Sequence, residues 1–207
     1  MKLDYLSYLY NFVLLTSRIY NIDESHSLKH SMDVYSYANK IYNLEVVNNQ
    51  YLKEHKNIID TSAILHDMCD KKYMNQTEGV ERIKLFLADH ISNEEIEPIV
   101  DIISTMSYST VKKNGFPNLG KYQLAYNIVR EADLLTSYDF DRCVMYKMYV
   151  DKYNYKEAVK DALNVFENRV FKYHTDRLFT TKYAIQKSYI LRTNEIKHIN
   201  IIKKLTL

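Results

Sequence analysis

"AILHDMCDKKY", residues 63–73, joins an apolar run to a string of polar groups with no glycine or proline between them. Ala63, Ile64 and Leu65 are followed at once by His66 and Asp67, then by Cys69, Asp70, Lys71 and Lys72. The stretch alone allows two readings. It is either the polar end of an ordinary surface helix, or a buried element that carries a histidine and a carboxylate into a site. The choice depends on whether the rest of the chain surrounds it with helices and brings further polar groups to meet it.

The surroundings read as helical. The chain has 207 residues, which suits one domain with one core. It contains 3 Gly and 2 Pro, too few for the many turns of a sandwich or barrel. Apolar residues recur at helical spacing over 3–20, through Leu6, Leu9, Phe12, Val13 and Ile19. "NIDESHS" (21–27) supplies cap and turn residues, and a second helix is expected through "HSLKHSMDVYSYANKIY". A third is expected from about 52 to 68 and contains the opening stretch. Glu78–Leu87 and 92–106 read as two more, the latter opened by the Ser92/Glu95 capping-box pattern. "KKNGFPNLG" marks a loop over 112–120, and one long helix is expected to follow through "YQLAYNIVREADLLTSYDF". Helices continue to about 203, with a break near "KYHTDRLFT". The expected fold is all-α, a single helical bundle over 1–207 with a motif core at about 20–140 and C-terminal helices over 141–207.

Composition narrows the function. The net charge is +2 and the basic runs are short and separated, which argues against stable nucleic-acid binding. "YLSYLYNFVLL" is too short to span a bilayer and lacks the basic start and small-residue cleavage site of a signal peptide. Two cysteines cannot build a disulfide framework, so a reducing, cytoplasmic setting is expected without membrane association. The 20 Tyr follow no repeat period; Tyr, Asn, Ile and Lys share A/T-rich codons, which accounts for their abundance.

Polar residues in apolar surroundings remain. His26 and His30 are four apart, hence on one helical face. Asp70 lies one turn beyond His66, and Asp133 interrupts the apolar "YNIVREADLL". Each alone is unremarkable. Together they offer two imidazoles and two carboxylates, a donor set that suits a divalent cation and that facing helices of a bundle can assemble. A shared cation would also remove the cost of burying those charges singly.

The order His30 … His66-Asp67 … Asp133 resembles the H…HD…D signature of the HD superfamily of metal-dependent phosphohydrolases. "DESHSLKHSMDV" resembles the D-x-S-H-x-x-x-H-x-x-R-V segment of its small single-domain bacterial members, which act on nucleotides. "AILHDMCDKKY" resembles their L-L-H-D-x-x-D-x-K-F/Y, "IISTMSYS" their I-x-x-I-S-x-S, and "IVREADLL" their I-V-x-D-A-D-x-L. The likeness covers roughly residues 20–140; "TTKYAIQKSYILRTNEI" is only loosely similar to the group's terminal helix.

The resemblance implies an HD-type bundle with His30, His66, Asp67 and Asp133 as metal ligands. It implies Asp70 and Lys72 as catalytic groups and His26 as a residue of the substrate pocket. It also implies one divalent ion, Mn2+ first and Mg2+ or Fe2+ next. His90, the only histidine between Asp67 and Asp133, reads as a helix-end residue rather than a ligand to a second metal. Two arginines of the pattern are replaced here by Asp33 and Leu134, so the phosphate needs another clamp, with Arg130 and Lys72 as candidates. Lys71 fills a position often taken by a large apolar residue. The expected activity is hydrolysis of a phosphomonoester or phosphoanhydride, with a nucleotide as the expected substrate and a monomer or homodimer as the working form. The alternative is a non-catalytic, metal- or nucleotide-binding regulatory protein.

Overall fold

Helix α3, Lys56–Leu65, is where the fold is decided, because every residue from Ile58 to Leu65 is buried. A helix that is buried all round has to be enclosed by others. In the computed structural model, which describes residues 3–206, α3 touches four of them: α1 (Leu3–Tyr20), α2 (Leu28–Glu45), α5 (Asn93–Thr105) and α7 (Gln123–Thr136). Ten α-helices and no strand occur among the described residues, so the expected all-α bundle is what forms. No helix among them is long and apolar enough to cross a membrane.

The longest packing seam runs between α2 and α7. Val34, Ala38 and Ile41 of α2 are fully buried, as are Ala125, Ile128, Val129 and Ala132 of α7. Alanines on both sides let the two backbones approach closely, while each fully buried Ile contributes about 1.5–3 kcal/mol. This seam sets the distance between His30 on α2 and Asp133 on α7.

Three boundaries differ from the sequence expectation. The third helix does not run over 52–68: Gln50–Lys53 form a 3-10 turn, and α3 ends at Leu65 with His66 as its C-cap. The chain then turns tightly through residues 66–74, closed by Asp70 N to Asp67 O and Tyr73 N to Asp70 O. After α4 (Gln76–Ala88) and α5, a short helix α6, Tyr108–Asn114, takes the first part of the expected 112–120 loop. Its end is set by Gly115, which has a φ of 76° that side-chain-bearing residues avoid. The long helix expected through Phe140 stops at Thr136. Hydroxyls of Thr136 and Ser137 bond back to Asp133 O, and Asp139 accepts from Arg142 N to start α8, Phe140–Tyr149.

The C-terminal helices pack onto this core. α8 pairs with α9 (Tyr155–Asn168), and α10 (Lys182–Thr206) lies on α7 and α2. The expected break near 172–180 is present. α10 is clasped to α7 by one side chain. The fully buried Glu131 carboxylate accepts hydrogen bonds from the backbone N–H and hydroxyl of Thr180 (2.7 and 2.6 Å) and of Thr181 (3.1 and 2.6 Å).

Candidate metal centre

Four side chains from three places in the sequence meet at one point. His30 comes from the first turn of α2, His66 and Asp67 from the turn that ends α3, and Asp133 from the last turn of α7. His30 and His66 are only 3% and 6% exposed. Their Nε2 atoms are 3.0 Å apart. Asp67 Oδ2 lies 3.3 Å from both nitrogens, and Asp133 Oδ1 lies 3.4 Å from His30 Nε2 and 3.7 Å from His66 Nε2. The donor atoms of His30, His66 and Asp133 all fall within 4.8 Å of one another.

These residues fit a divalent cation. Ligand bonds of about 2.0–2.2 Å put neighbouring donors of an octahedral ion about 3 Å apart, which matches the spacing between the two imidazoles and Asp67. Asp67 Oδ2 is buried without a hydrogen-bond partner. His66 Nδ1 lies 3.0 Å from Ala63 O; that contact is a hydrogen bond only if Nδ1 donates, which leaves the neutral ring's Nε2 lone pair facing the cluster. Two carboxylates and an imidazole lone pair aimed at one point demand positive charge there. Burial disfavours the His66 cation, but Asp67 and Asp133 outweigh it and push His66 up to about 9. Burial would likewise raise Asp133, yet the His30 hydrogen bond and the His66 charge bring it down to about 2. Asp67, through His66 and His30, is held well below the usual carboxylate range. The four residues expected as ligands from their order along the chain thus meet in space.

His30 differs from His66. Arg142 Nη1, a donor only, sits 2.5 Å from His30 Nδ1 and donates to Ser25 O at 2.8 Å. Burial and this guanidinium both hold His30 below its ordinary value. In this arrangement the His30 proton sits on Nε2 and points at His66. To act as a ligand, His30 must carry that proton on Nδ1 instead, where Thr136 Oγ1 at 3.4 Å can accept it and Arg142 must withdraw.

The remaining expected site residues separate into two groups. Asp70, Lys72 and His26 form a polar edge beside the cluster. Asp70 Oδ1 accepts from Lys72 N at 2.8 Å, and Lys72 Nζ stands 3.4 Å from both Asp70 Oδ2 and His26 Nε2. His26 Nδ1 is held by Ser25 Oγ (2.7 Å) and Tyr73 OH (3.0 Å), both of which also bond Asp23. Arg130, in contrast, does not reach the cleft. It is buried in the core beneath the Phe116 ring (4.7 Å) with Tyr126 beside it and Glu131 at 3.5 Å, so it cannot touch a substrate. The arginine expected from α7 is replaced by two that the motif does not contain: Arg142 on α8 and Arg169 at the end of α9. Both come from beyond residue 140, and no local pattern marks them. His90 lies outside the cleft, where Nδ1 meets Phe86 O at 2.8 Å and the ring packs on Tyr5 and Tyr8.

Two cavities, of about 240 and 110 Å3, meet over the cluster. Asp67, Asp70, Lys72, Asp133 and Arg169 line both. The larger extends between α8 and α9 past Tyr146, Phe166 and Val170; the smaller extends along residues 69–72 and the start of α6.

No protein-family model matches the chain, and neither does any curated protein sequence. Among solved structures, the crystal structure of a Lactobacillus plantarum protein, a Northeast Structural Genomics target, is similar with a TM-score of 0.71. The match covers 98% of this chain and 97% of that one at 18% sequence identity. That likeness concerns the fold alone.

Proposed function

We propose that the chain is an HD-type, metal-dependent phosphohydrolase that acts in the cytoplasm on a phosphomonoester or phosphoanhydride, with a nucleotide as the substrate class. The observation that supports this reading best is the convergence of His30, His66, Asp67 and Asp133, with the buried Asp67 Oδ2 lacking any hydrogen-bond partner. These four residues would hold one divalent ion, Mn2+ first and Mg2+ or Fe2+ next, which supplies Lewis acidity toward a phosphate oxygen and acidifies a bound water. Asp70, beside the ligands and open to both cavities, takes up the proton of the attacking water at Oδ2. Lys72 Nζ and His26 Nε2, 3.4 Å apart, balance the charge that develops on phosphate oxygens. Tyr146, Phe166 and Val170 give the larger cavity an apolar wall for the organic part of the substrate.

The test pairs elemental analysis with a screen of nucleotides and generic phosphoesters under added Mn2+. The wild type is expected to bind about one equivalent of metal and to release phosphate or pyrophosphate, whereas His66→Ala and Asp67→Ala do neither. Full metal content and unchanged turnover in both variants would end the proposal. A metal- or nucleotide-binding regulatory protein is the second reading, favoured by the two missing arginines: Asp33 pairs with Lys29 at the surface and Leu134 is in the core. Binding without turnover across the screen selects that reading.

A further inference from the structure

The two cavities differ in which cations are free to meet a ligand. In the larger one, Lys147 is already paired with Asp151 (2.9 Å) and Asp161 (2.7 Å), and Arg142 is engaged by Ser25 O. The smaller one alone is lined by Lys71 and shares Arg169 and Lys72 with the larger; neither Lys71 nor Arg169 forms an ion pair among the described residues. Arg169 is held in place rather than loose: its guanidinium stacks over the Tyr108 ring at 4.4 Å. A stacked guanidinium keeps its in-plane N–H groups available, the arrangement that matches a phosphate. Ser107, Ser109 and Thr110 bring hydroxyls to the same wall beside Ile103 and Met106, with Ser107 Oγ 2.7 Å from Thr110 Oγ1 and 3.3 Å from Ser109 Oγ.

Three carboxylates also border this cavity. Asp70 is neutralised locally by Lys72, whose backbone N–H and ammonium both face it. Asp67 and Asp133 are balanced only under the proposed function, in which they share a divalent cation, and the inference rests on that reading to this extent. With that balance, three cations and one carboxylate face a cavity of about 110 Å3 directly beside the attacked position.

We propose that the smaller cavity is an oxyanion subsite, built by Arg169, Lys71 and Lys72, that holds a second phosphate group adjacent to the one attacked. The substrate is then a phosphoanhydride, with its organic part in the larger cavity and its further phosphate in the smaller. This accounts for Lys71 at a position where an apolar residue is expected, and it supplies from α9 the guanidinium that Leu134 lacks.

The experiment measures binding, by calorimetry, of methylenediphosphonate, whose P–C–P bridge resists hydrolysis, and of methylphosphonate, which carries a single phosphonate group. It is run on the wild type with Mn2+, and on an Asp67→Asn/Asp133→Asn protein without metal, where the two charges are removed chemically. Arg169→Ala is expected to weaken diphosphonate binding roughly tenfold to a hundredfold in both backgrounds, with Arg169→Lys in between and Lys71→Ala a smaller loss. Methylphosphonate should be nearly indifferent to all three. Diphosphonate binding that survives Arg169→Ala, that equals methylphosphonate binding, or that is absent from both backgrounds overturns the subsite. Loss of Mn2+ binding and turnover in the wild type counts against the proposed function instead, and leaves the metal-free background to decide the subsite. Arg169→Lys and the exposed Lys71→Ala keep the test valid even where Arg169→Ala folds poorly.

Discussion

The cleft has two walls that were made differently. One is the α2–α3–α7 core, packed through alanine and isoleucine at full burial, which carries His30 and Asp133 on helices and His66 and Asp67 on the turn that ends α3. The other is the α8–α9 hairpin, which carries Arg142 and Arg169 and exposes Met145, Tyr149 and Tyr153 to solvent. On the first wall a ligand atom cannot shift without disturbing the core, so the spacing of donors is rigid. On the second, Arg169 can change without touching the donors, while Arg142 reaches one of them through His30 Nδ1. Under the proposed function, this amounts to a division in which the core fixes the chemistry and the hairpin selects what is bound.

The sharpest challenge to that division is a core ligand. Asp67→Asn should lower metal affinity by at least about a hundredfold, read by elemental analysis or titration, since even partners behind a ligand are worth 10- to 100-fold. Next is the clasp that ties the core wall to the start of α10. Glu131→Ala removes four hydrogen bonds to Thr180 and Thr181 and leaves Arg130 buried beside no carboxylate. A loss of about 3–5 kcal/mol in denaturant unfolding is expected, with Glu131→Gln losing less. A third change acts on the turn behind the ligands. A Cβ at Gly79 would stand 2.8 Å from Met74 Sδ and 2.9 Å from Cys69 Cα, so Gly79→Ala should destabilise by about 1–3 kcal/mol and loosen metal binding through Asp67. If stability falls while metal affinity holds, the turn is less tightly linked to the site than the core packing implies.

A smaller effect depends on pH. Burial works against ionised Asp23, but hydrogen bonds from His26, Ser25 and Tyr73 outweigh it and hold the carboxyl far below its ordinary 3.8. A depressed carboxyl stabilises the fold fully above its unfolded value and loses that contribution as pH falls toward the folded value. Between about pH 5 and about pH 2.5 the wild type should therefore lose stability more steeply than Asp23→Asn, which starts lower. Equal slopes would mean that the Asp23 bonds do not hold in solution. The smallest change is expected at Arg142→Gln: with the guanidinium gone from His30 Nδ1, metal affinity should stay level or rise by a few-fold, roughly the worth of one screened charge. Abolished metal binding in that variant would break the division between the walls.

How much was legible follows the same line. His66, Asp67 and Asp133 stand among apolar neighbours in short local patterns, which marks them as candidates, and their convergence was expected from the resemblance of their order to the H…HD…D signature. The all-α bundle followed from helical spacing and the scarcity of Gly and Pro. Arg130 was misread because helical phase does not say which loop closes over a face; Phe116, brought in by the loop after Gly115, covers it. Arg142 and Arg169 were invisible because their role comes from the α8–α9 packing, a long-range contact with no local periodicity. The end of α7 was placed too late because side chains of Thr136, Ser137 and Asp139 bond to backbone groups and stop the helix within an otherwise helical pattern.

Because α3 stops at Leu65, the last carbonyl groups of that helix lie at the His66–Asp67 corner. The aligned peptides of a helix leave roughly half a negative charge at its C-terminal end. The backbone thus adds its own attraction for a cation at the point where the four side chains meet, a contribution that no side-chain substitution can remove. Had α3 run on to Met68, that negative end would lie beyond the corner and His66 would sit partway along the helix. The early end of one buried helix therefore serves as an additional, permanent part of the electrostatics of the site.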